Sequence, residues 1–424
     1  MEVTLLFVSF FTLLFIGVPI AITLGISSLL YLVTSGIPLT IVPQKMYSGL
    51  DSFVLLCVPG FILAGNLMNS GNITDQIIRL SNAMVGHIRG GLGLANVAGS
   101  MLFGGVSGTA VADTASIGSV MIPGMKKNGY DGPFAAAVTA ASSTIGPIIP
   151  PSLPMIIVGT LTGLSVGQLF LAGAVPGLLL GFGMMITVYI LAIKRNYPKG
   201  ERVSFKELLS AFKSSSGAIS LTFLILFGIV GGFFTPTEAS IVASFYAVVL
   251  GLYVYKGLKF KDLPKILLST AITSASLMVL VGLANVFGWI LTSEKIPQMI
   301  SNLILGISEN PIIVLLIINL LLLFVGTFME TIAALIILFP TLLGVAVGVG
   351  VDPIHFGIIA VLNLMIGLST PPVGVCLFVA SSISGISMEK VSKAIIPFII
   401  CNLIVLMLVT YIPELSLWLP KFFF

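Results

Sequence analysis

Long apolar stretches alternate along this chain with short polar intervals. Apolar runs of spanning length fall at about 3–17, 19–35, 51–69, 168–193, 217–233, 237–256, 266–292 and 394–412. Each approaches the roughly 20 residues that a helix needs to cross a bilayer. Between 72 and 88, Ile73, Ile77, Met84 and Ile88 recur at near-helical spacing, which predicts an amphipathic helix. Four further stretches interrupt themselves. Residues 89–125 are broken at Gly105–Thr114 and residues 311–340 at Val325–Thr331; residues 131–165 are broken at Ser142–Ser152 and residues 354–386 at Gly367–Gly374. An unpaired backbone amide or carbonyl in lipid costs several kcal/mol, so Gly, Ser, Thr and Pro runs at membrane depth must be buried in protein or line a cavity. The pattern predicts an all-α polytopic membrane protein with two re-entrant helical hairpins, 89–125 and 311–340, and two broken helices, 131–165 and 354–386.

Composition agrees. The chain is 57% hydrophobic and 8% charged, against about a quarter charged in a soluble domain. Glu2 and the lack of an early basic residue make the first apolar run a span rather than a cleaved signal peptide. Cys57, Cys376 and Cys401 stand singly in apolar runs, which suits packing, and His87 and His355 have no nearby metal-ligand cluster. The net charge of +4 suggests no nucleic-acid partner, because the basic residues follow membrane topology. With each hairpin entering and leaving on one face, all of the 19 basic residues except Lys45, Lys295 and Lys421 fall on one side. By the positive-inside rule that side is cytoplasmic and both termini face outward.

The polar passages repeat at roughly 220 residues. Ser81, Asn82 and Gly86 match Ser301, Asn302 and Gly306; Asp113, Thr114 and Pro123 match Glu330, Thr331 and Pro340. Asp131, Gly146, Pro150 and Pro151 match Asp352, Gly367, Pro371 and Pro372, and Gly163 and Ser165 match Gly385 and Ser387. The first hairpin is flanked by Arg89 and Lys126 inside, the second by Lys295 and Asp352 outside, so the copies, 1–213 and 214–424, are inverted. Inverted repeats whose broken helices meet at mid-membrane are the construction of secondary transporters.

The chemistry of the passages fits ions and anions together. Ser107, Gly108, Thr109, Ser143, Thr144 and Gly146 offer hydroxyl and carbonyl oxygens for one sodium ion, and Gly326, Thr327, Gly367, Ser369 and Thr370 offer a related set for a second. Helix N-termini at the same tips carry partial positive charge, which suits an anionic substrate. Asp113 and Glu330 are intramembrane carboxylates and by default functional; they tune the ion sites, orient the tips or carry protons, or else simply cap the hairpin helices. With Thr114 and Thr331 they form the expected substrate-and-tuning set, the substrate lying between the two ion sites. Asp131, Glu238 and Asp352 are accounted for as helix caps. Gly105–Gly108 also matches the short GxSG pattern of intramembrane serine proteases. That leaves a hydrolase using Ser107 as a remote alternative, with His355 the only later histidine.

The strings GVSGTAVADTASIGS, ASSTIGPIIPPS and GLSTPPVGVCLF closely resemble the large membrane subunit of tripartite ATP-independent periplasmic (TRAP) transporters, and the resemblance covers essentially the whole chain. It implies a bacterial inner-membrane importer, a separate small four-helix membrane subunit and an extracytoplasmic substrate-binding protein. It also implies sodium coupling, and a hairpin domain that moves as an elevator against a fixed scaffold. The substrates it implies are organic acids: dicarboxylates, keto acids, sugar acids or sialic acid. A stand-alone divalent-anion:sodium symporter of the same superfamily is the alternative within transport.

Overall fold

The computed structural model describes residues 2–424, and the backbone alone at Gly105, Val106 and Ser107. No strand occurs among the described residues, only an isolated bridge between Arg89 and Lys199. Twenty α-helices follow one another among the described residues. The first group is α1 (Glu2–Phe15), α2 (Ile20–Thr34), α3 (Ile41–Leu50), α4 (Cys57–Ser70) and α5 (Ile73–Val85). The first hairpin is α6 (Gly91–Ser107) with α7 (Ala110–Lys127), and the first broken helix is α8 (Gly132–Ser142) with α9 (Leu153–Thr162), joined through a 3-10 turn at Ser143–Ile148. Then come α10 (Val166–Lys194), α11 (Phe205–Val230), α12 (Pro236–Val249), α13 (Leu263–Ser293) and α14 (Ile296–Ile307). The second hairpin is α15 (Pro311–Gly326) with α16 (Thr331–Gly348), the second broken helix α17 (Pro353–Gly367) with α18 (Val375–Ser384), and α19 (Met388–Tyr411) and α20 (Glu414–Phe423) close the chain. Among the described residues seven helices are long and apolar enough to cross a membrane, α16 of the second hairpin among them, and the bent pair of α8 and α9 makes an eighth; α1 and α2, expected as spans, are shorter than that.

Burial separates two bodies. In α8 every residue from Phe134 to Ser142 is buried, and in α17 every residue from Ile354 to Gly367. A helix apolar all round belongs inside, and these two form the centre. Around them pack α6, α7, α9, α10, α15, α16, α18 and α19. The other body is built on α4, α12 and α13, with α2 and α3 against α13 and α1 against α2.

Both hairpins turn back on themselves. The backbone amide of Leu92, at the start of α6, donates to Tyr130 Oη just beyond α7 at 3.3 Å. Arg89 reaches Asn196 Oδ1 at 3.3 Å, and Arg195 and Tyr197 hold Asp131 at 3.2 and 2.6 Å, so entry and exit of the first hairpin lie beside the end of α10. The second hairpin has its base at the other end. Tyr411 Oη donates to the Ile312 carbonyl at 3.1 Å, and His355, just after α16, lies with Nε2 3.2 Å from the Thr410 carbonyl. Gly167, at the far end of α10, faces Phe424 in that same group.

Several expectations shift. Helices α3, α14 and α20 fall where no element was expected, because each has only 10 to 12 residues, too few for a span. The second hairpin runs on to Gly348, since Pro340 sits inside α16, as Pro123 does inside α7. Membrane helices tolerate such prolines where neighbours satisfy the freed groups. Asp352 caps α17 through Ile354 N and His355 N at 2.8 and 3.1 Å, and Glu238 completes a capping box with Thr235. Asp131 stands at the cap position of α8 without capping it. A cap accepts from the second or third helical amide, the second here is Pro133, and the carboxylate turns to Arg195 and Tyr197 instead.

Candidate functional site

Each hairpin tip is made by a residue suited to reversing a helix. At the first, Gly108 takes φ +66°, the left-handed region in which glycine carries no steric cost, and Thr109 caps α7 by accepting from Ala112 N at 3.4 Å. At the second, Glu330 caps α16 by accepting from Ala333 N at 3.1 Å. The breaks are built from proline and glycine. Pro147, Pro150 and Pro151 interrupt the first broken helix, and Ser152 restarts it by accepting from Met155 N at 3.3 Å. Pro371 and Pro372 interrupt the second, which restarts after Gly374 at φ +52°. The bonds Pro150–Pro151 and Pro371–Pro372 are both cis.

Tip and break meet backbone to backbone in each half. A side chain at Gly104, one turn before the first tip, would fall on the Gly146 backbone. One at Gly367 would fall on Gly326, and one at Gly326 would lie 3.2 Å from Gly367 Cα. The Gly374 amide donates to the Thr327 carbonyl at 3.0 Å, which ties the second break to its tip. Gly146 and the Gly326–Gly367 pair belong to the expected sets. Gly104 does not, although it lies the same interval before Gly326 as the other matched residues do.

The hydroxyls share one arrangement. Ser143 donates to the Thr139 carbonyl at 2.8 Å and Thr144 to Ala141 at 2.7 Å. Thr327 donates to Phe324 at 2.8 Å, and Ser369 and Thr370 to Ile366 at 3.0 and 2.8 Å. A hydroxyl has one proton and two lone pairs. With the proton committed to the helix behind it, each of these oxygens can only accept, which suits a hard cation. The Ser107 side chain lies outside the described residues.

The carboxylates are not equivalent. Asp113 is fully buried, and a Cβ on Gly146 would strike its Oδ2, so it lies against the first break. Thr114 donates to the Ala110 carbonyl at 2.8 Å and lies in hydrogen-bond reach of Cys376 on α18. Glu330 is instead the cap of its helix, level with Thr109. The match of Asp113 with Glu330 is thus one helical turn out of register, because Pro123 and Pro340 sit at different depths in their helices.

The two tips converge. Gly108 and Thr109 of one and Glu330 and Thr331 of the other line a cavity of about 40 Å³, closed by Pro147, Leu368 and other apolar neighbours. Thr331 Oγ1 is buried there without a hydrogen-bond partner among the described residues. Of the first expected ion set only Gly108 and Thr109 line it; Ser143, Thr144 and Gly146, the carboxylate Asp113 with Thr114, and the whole second set, Gly326, Thr327, Gly367, Ser369 and Thr370, are absent from that lining.

Residues 7–415 match the family described as "Tripartite ATP-independent periplasmic transporter, DctM component". The chain belongs to this family. It is 43% identical over 412 residues to the sialic acid TRAP transporter large permease protein SiaM of Vibrio cholerae, covering 97% of this chain and 96% of that one. It is 40% identical to the C4-dicarboxylate TRAP transporter large permease protein DctM of the same organism, covering 99% and 98%. A solved transporter, YdaH of Alcanivorax borkumensis, superposes with a TM-score of 0.62 over 90% of this chain and 89% of that one at 13% identity, a likeness of fold alone. The chain is therefore a TRAP large permease, a multi-pass membrane transporter and not an enzyme. His355, which the hydrolase alternative needed, is occupied elsewhere, with Nδ1 2.6 Å from Ser416 Oγ.

Proposed function

We propose that this permease imports an organic acid across a bacterial inner membrane by sodium coupling, with both termini on the periplasmic face. It works with an extracytoplasmic substrate-binding protein and a small four-helix membrane subunit. One ion binds among Ser107, Gly108, Thr109, Ser143, Thr144 and Gly146, with Asp113 supplying negative charge against the break; the other binds among Gly326, Thr327, Gly367, Ser369 and Thr370. The observation that carries the reading is the pairing of acceptor-only hydroxyls with glycine-on-glycine contacts at both tip-and-break junctions.

Residues 1–213 and 214–424 form the inverted halves. Their hairpins and broken helices move together as an elevator body against the scaffold on α4, α12 and α13. The organic-acid class follows the relatives, which are named for sialic acid and C4-dicarboxylates. In proteoliposomes with both partners, uptake of the acid that the binding protein carries should require sodium and the binding protein. Uptake unchanged when potassium replaces sodium sinks the coupling, and uptake without the binding protein returns the chain to the stand-alone symporter class.

A further inference from the structure

Two adjoining clefts open between the scaffold and the hairpin body, of about 330 and 340 Å³, and both are lined by Ser48, Leu161, Asn285 and Ile336. Their size falls within the range of small-molecule sites, about 300–1,000 Å³. The cavity between the tips, at about 40 Å³, has room for little more than a water or an ion, for a water takes about 30 Å³ of liquid volume. The tip cavity is too small for an organic acid, whereas each of these clefts has the volume to take one.

The cleft walls differ in chemistry. The scaffold wall is polar: Lys45 and Ser48 on α3, Asp51 and Ser52 beyond it, and Asn285 and Trp289 on α13. The facing wall comes from the hairpin body, chiefly Leu161 on α9 and Ile336, Ile337 and Pro340 on α16. Lys45 Nζ lies 5.5 Å from the Trp289 ring centroid, and Lys45 enters no ion pair among the described residues. Asp51 lies six positions on, roughly 9 Å by helical rise. One end of the cleft is therefore cationic and the other anionic, with hydroxyl and amide groups between.

The same helices continue inward. Pro154 of α9 and Ile332 of α16 line the tip cavity, and Thr160 and Ile336 line the cleft. The cleft thus leads along α9 and α16 to the tips.

We infer that this cleft is the entry site for the transported acid, that Lys45 holds its carboxylate beside Trp289, and that the site selects a monocarboxylate bearing hydroxyl or amide groups over a dicarboxylate. A second carboxylate would face Asp51, whereas hydroxyls meet Ser48, Ser52, Thr160 and Asn285. The inference rests on the reading of the chain as an organic-acid permease and adds the place and class of its substrate.

Trp289 and Trp418 are the only tryptophans, so Trp418→Phe leaves Trp289 as the sole indole reporter. In nanodiscs, gluconate or N-acetylneuraminate should change Trp289 emission saturably, succinate should bind more weakly, and glucose should have no effect. Lys45→Gln should raise the half-saturating concentration about tenfold, the loss of one charge-assisted contact, and Lys45→Arg should largely restore it. No response to either hydroxylated acid, an unchanged half-saturation in Lys45→Gln, or tighter binding of succinate overturns the inference. Sodium-driven uptake is read separately. If uptake persists while Trp289 reports no binding, the entry site alone falls; if Trp289 reports binding and uptake ignores sodium, the coupling falls and the entry site stands.

Discussion

The two tip-and-break junctions use one backbone device with different electrostatics. In both, glycine lies on glycine and serine and threonine protons are turned away into the helix behind. At the first, the Asp113 carboxylate lies against Gly146; at the second, the nearest carboxylate in sequence, Glu330, is spent on capping α16 and opens to the cavity between the tips. Two matched junctions can therefore keep their geometry while their charges diverge, and under the proposed sodium coupling a cation at the first junction would have a buried carboxylate beside it.

The sharpest test of that difference is charge removal. Asp113→Asn should lower sodium-driven uptake about 100-fold, because a buried charge partner is worth roughly 3 kcal/mol. Glu330→Gln should cost at most about tenfold, since the amide oxygen still accepts from Ala333 N. Equal losses, measured as initial rates in proteoliposomes, would erase the distinction between the junctions.

Next comes the shared device. Gly104→Ala and Gly367→Ala each drive a methyl into backbone and should destabilise by about 1–3 kcal/mol, seen as a lower Tm in detergent. Gly326→Ala meets its nearest atoms at 3.2 Å and should lose less, and Gly124→Ala, with nothing within 4 Å, should leave Tm unchanged or raise it slightly, since alanine favours the helix. A Tm for Gly104→Ala equal to that of Gly124→Ala would refute the contact.

Hydroxyl removal should have a smaller effect. Ser369→Ala with Thr370→Val should raise the sodium concentration for half-maximal uptake about tenfold, and Ser143→Ala with Thr144→Val by less, because Asp113 remains. The reverse order would assign the stronger hydroxyl dependence to the charged junction.

The smallest effect lies at the base of the first hairpin. Burial, and then the hydrogen bond to Asp131, push Tyr197 up to about 12 from its usual 10. Its folded value exceeds its unfolded one, so its contribution to stability is complete below pH 10 and fades as pH rises toward 12. Wild-type Tm should fall across that window faster than that of Tyr197→Phe; parallel curves would remove Tyr197 from the clamp.

The longer spans, the two hairpins and the two breaks were legible in the chain because each is a local matter. Hydrophobic length meets bilayer thickness, proline removes a donor, glycine permits a turn, and lipid punishes every unpaired backbone group, so the sequence of these elements reads almost directly as a membrane fold. The family was legible too, in strings such as GLSTPPVGVCLF. What stayed hidden depends on contacts between distant segments. Gly104 gains its meaning only when Gly146 lies on it, and Asp113 and Glu330 look alike in sequence until the caps show them one turn apart. Asp131 could be judged as a cap only once Arg195 and Tyr197 stood beside it. Nothing local joins Lys45 to Trp289, or sets Asp51 across a cleft from α9 and α16. Rules acting over a few neighbouring residues are enough to specify a polytopic membrane transporter with two helical hairpins and two broken helices. Which groups face one another across the two bodies depends on the packed chain, because packing brings together segments hundreds of residues apart.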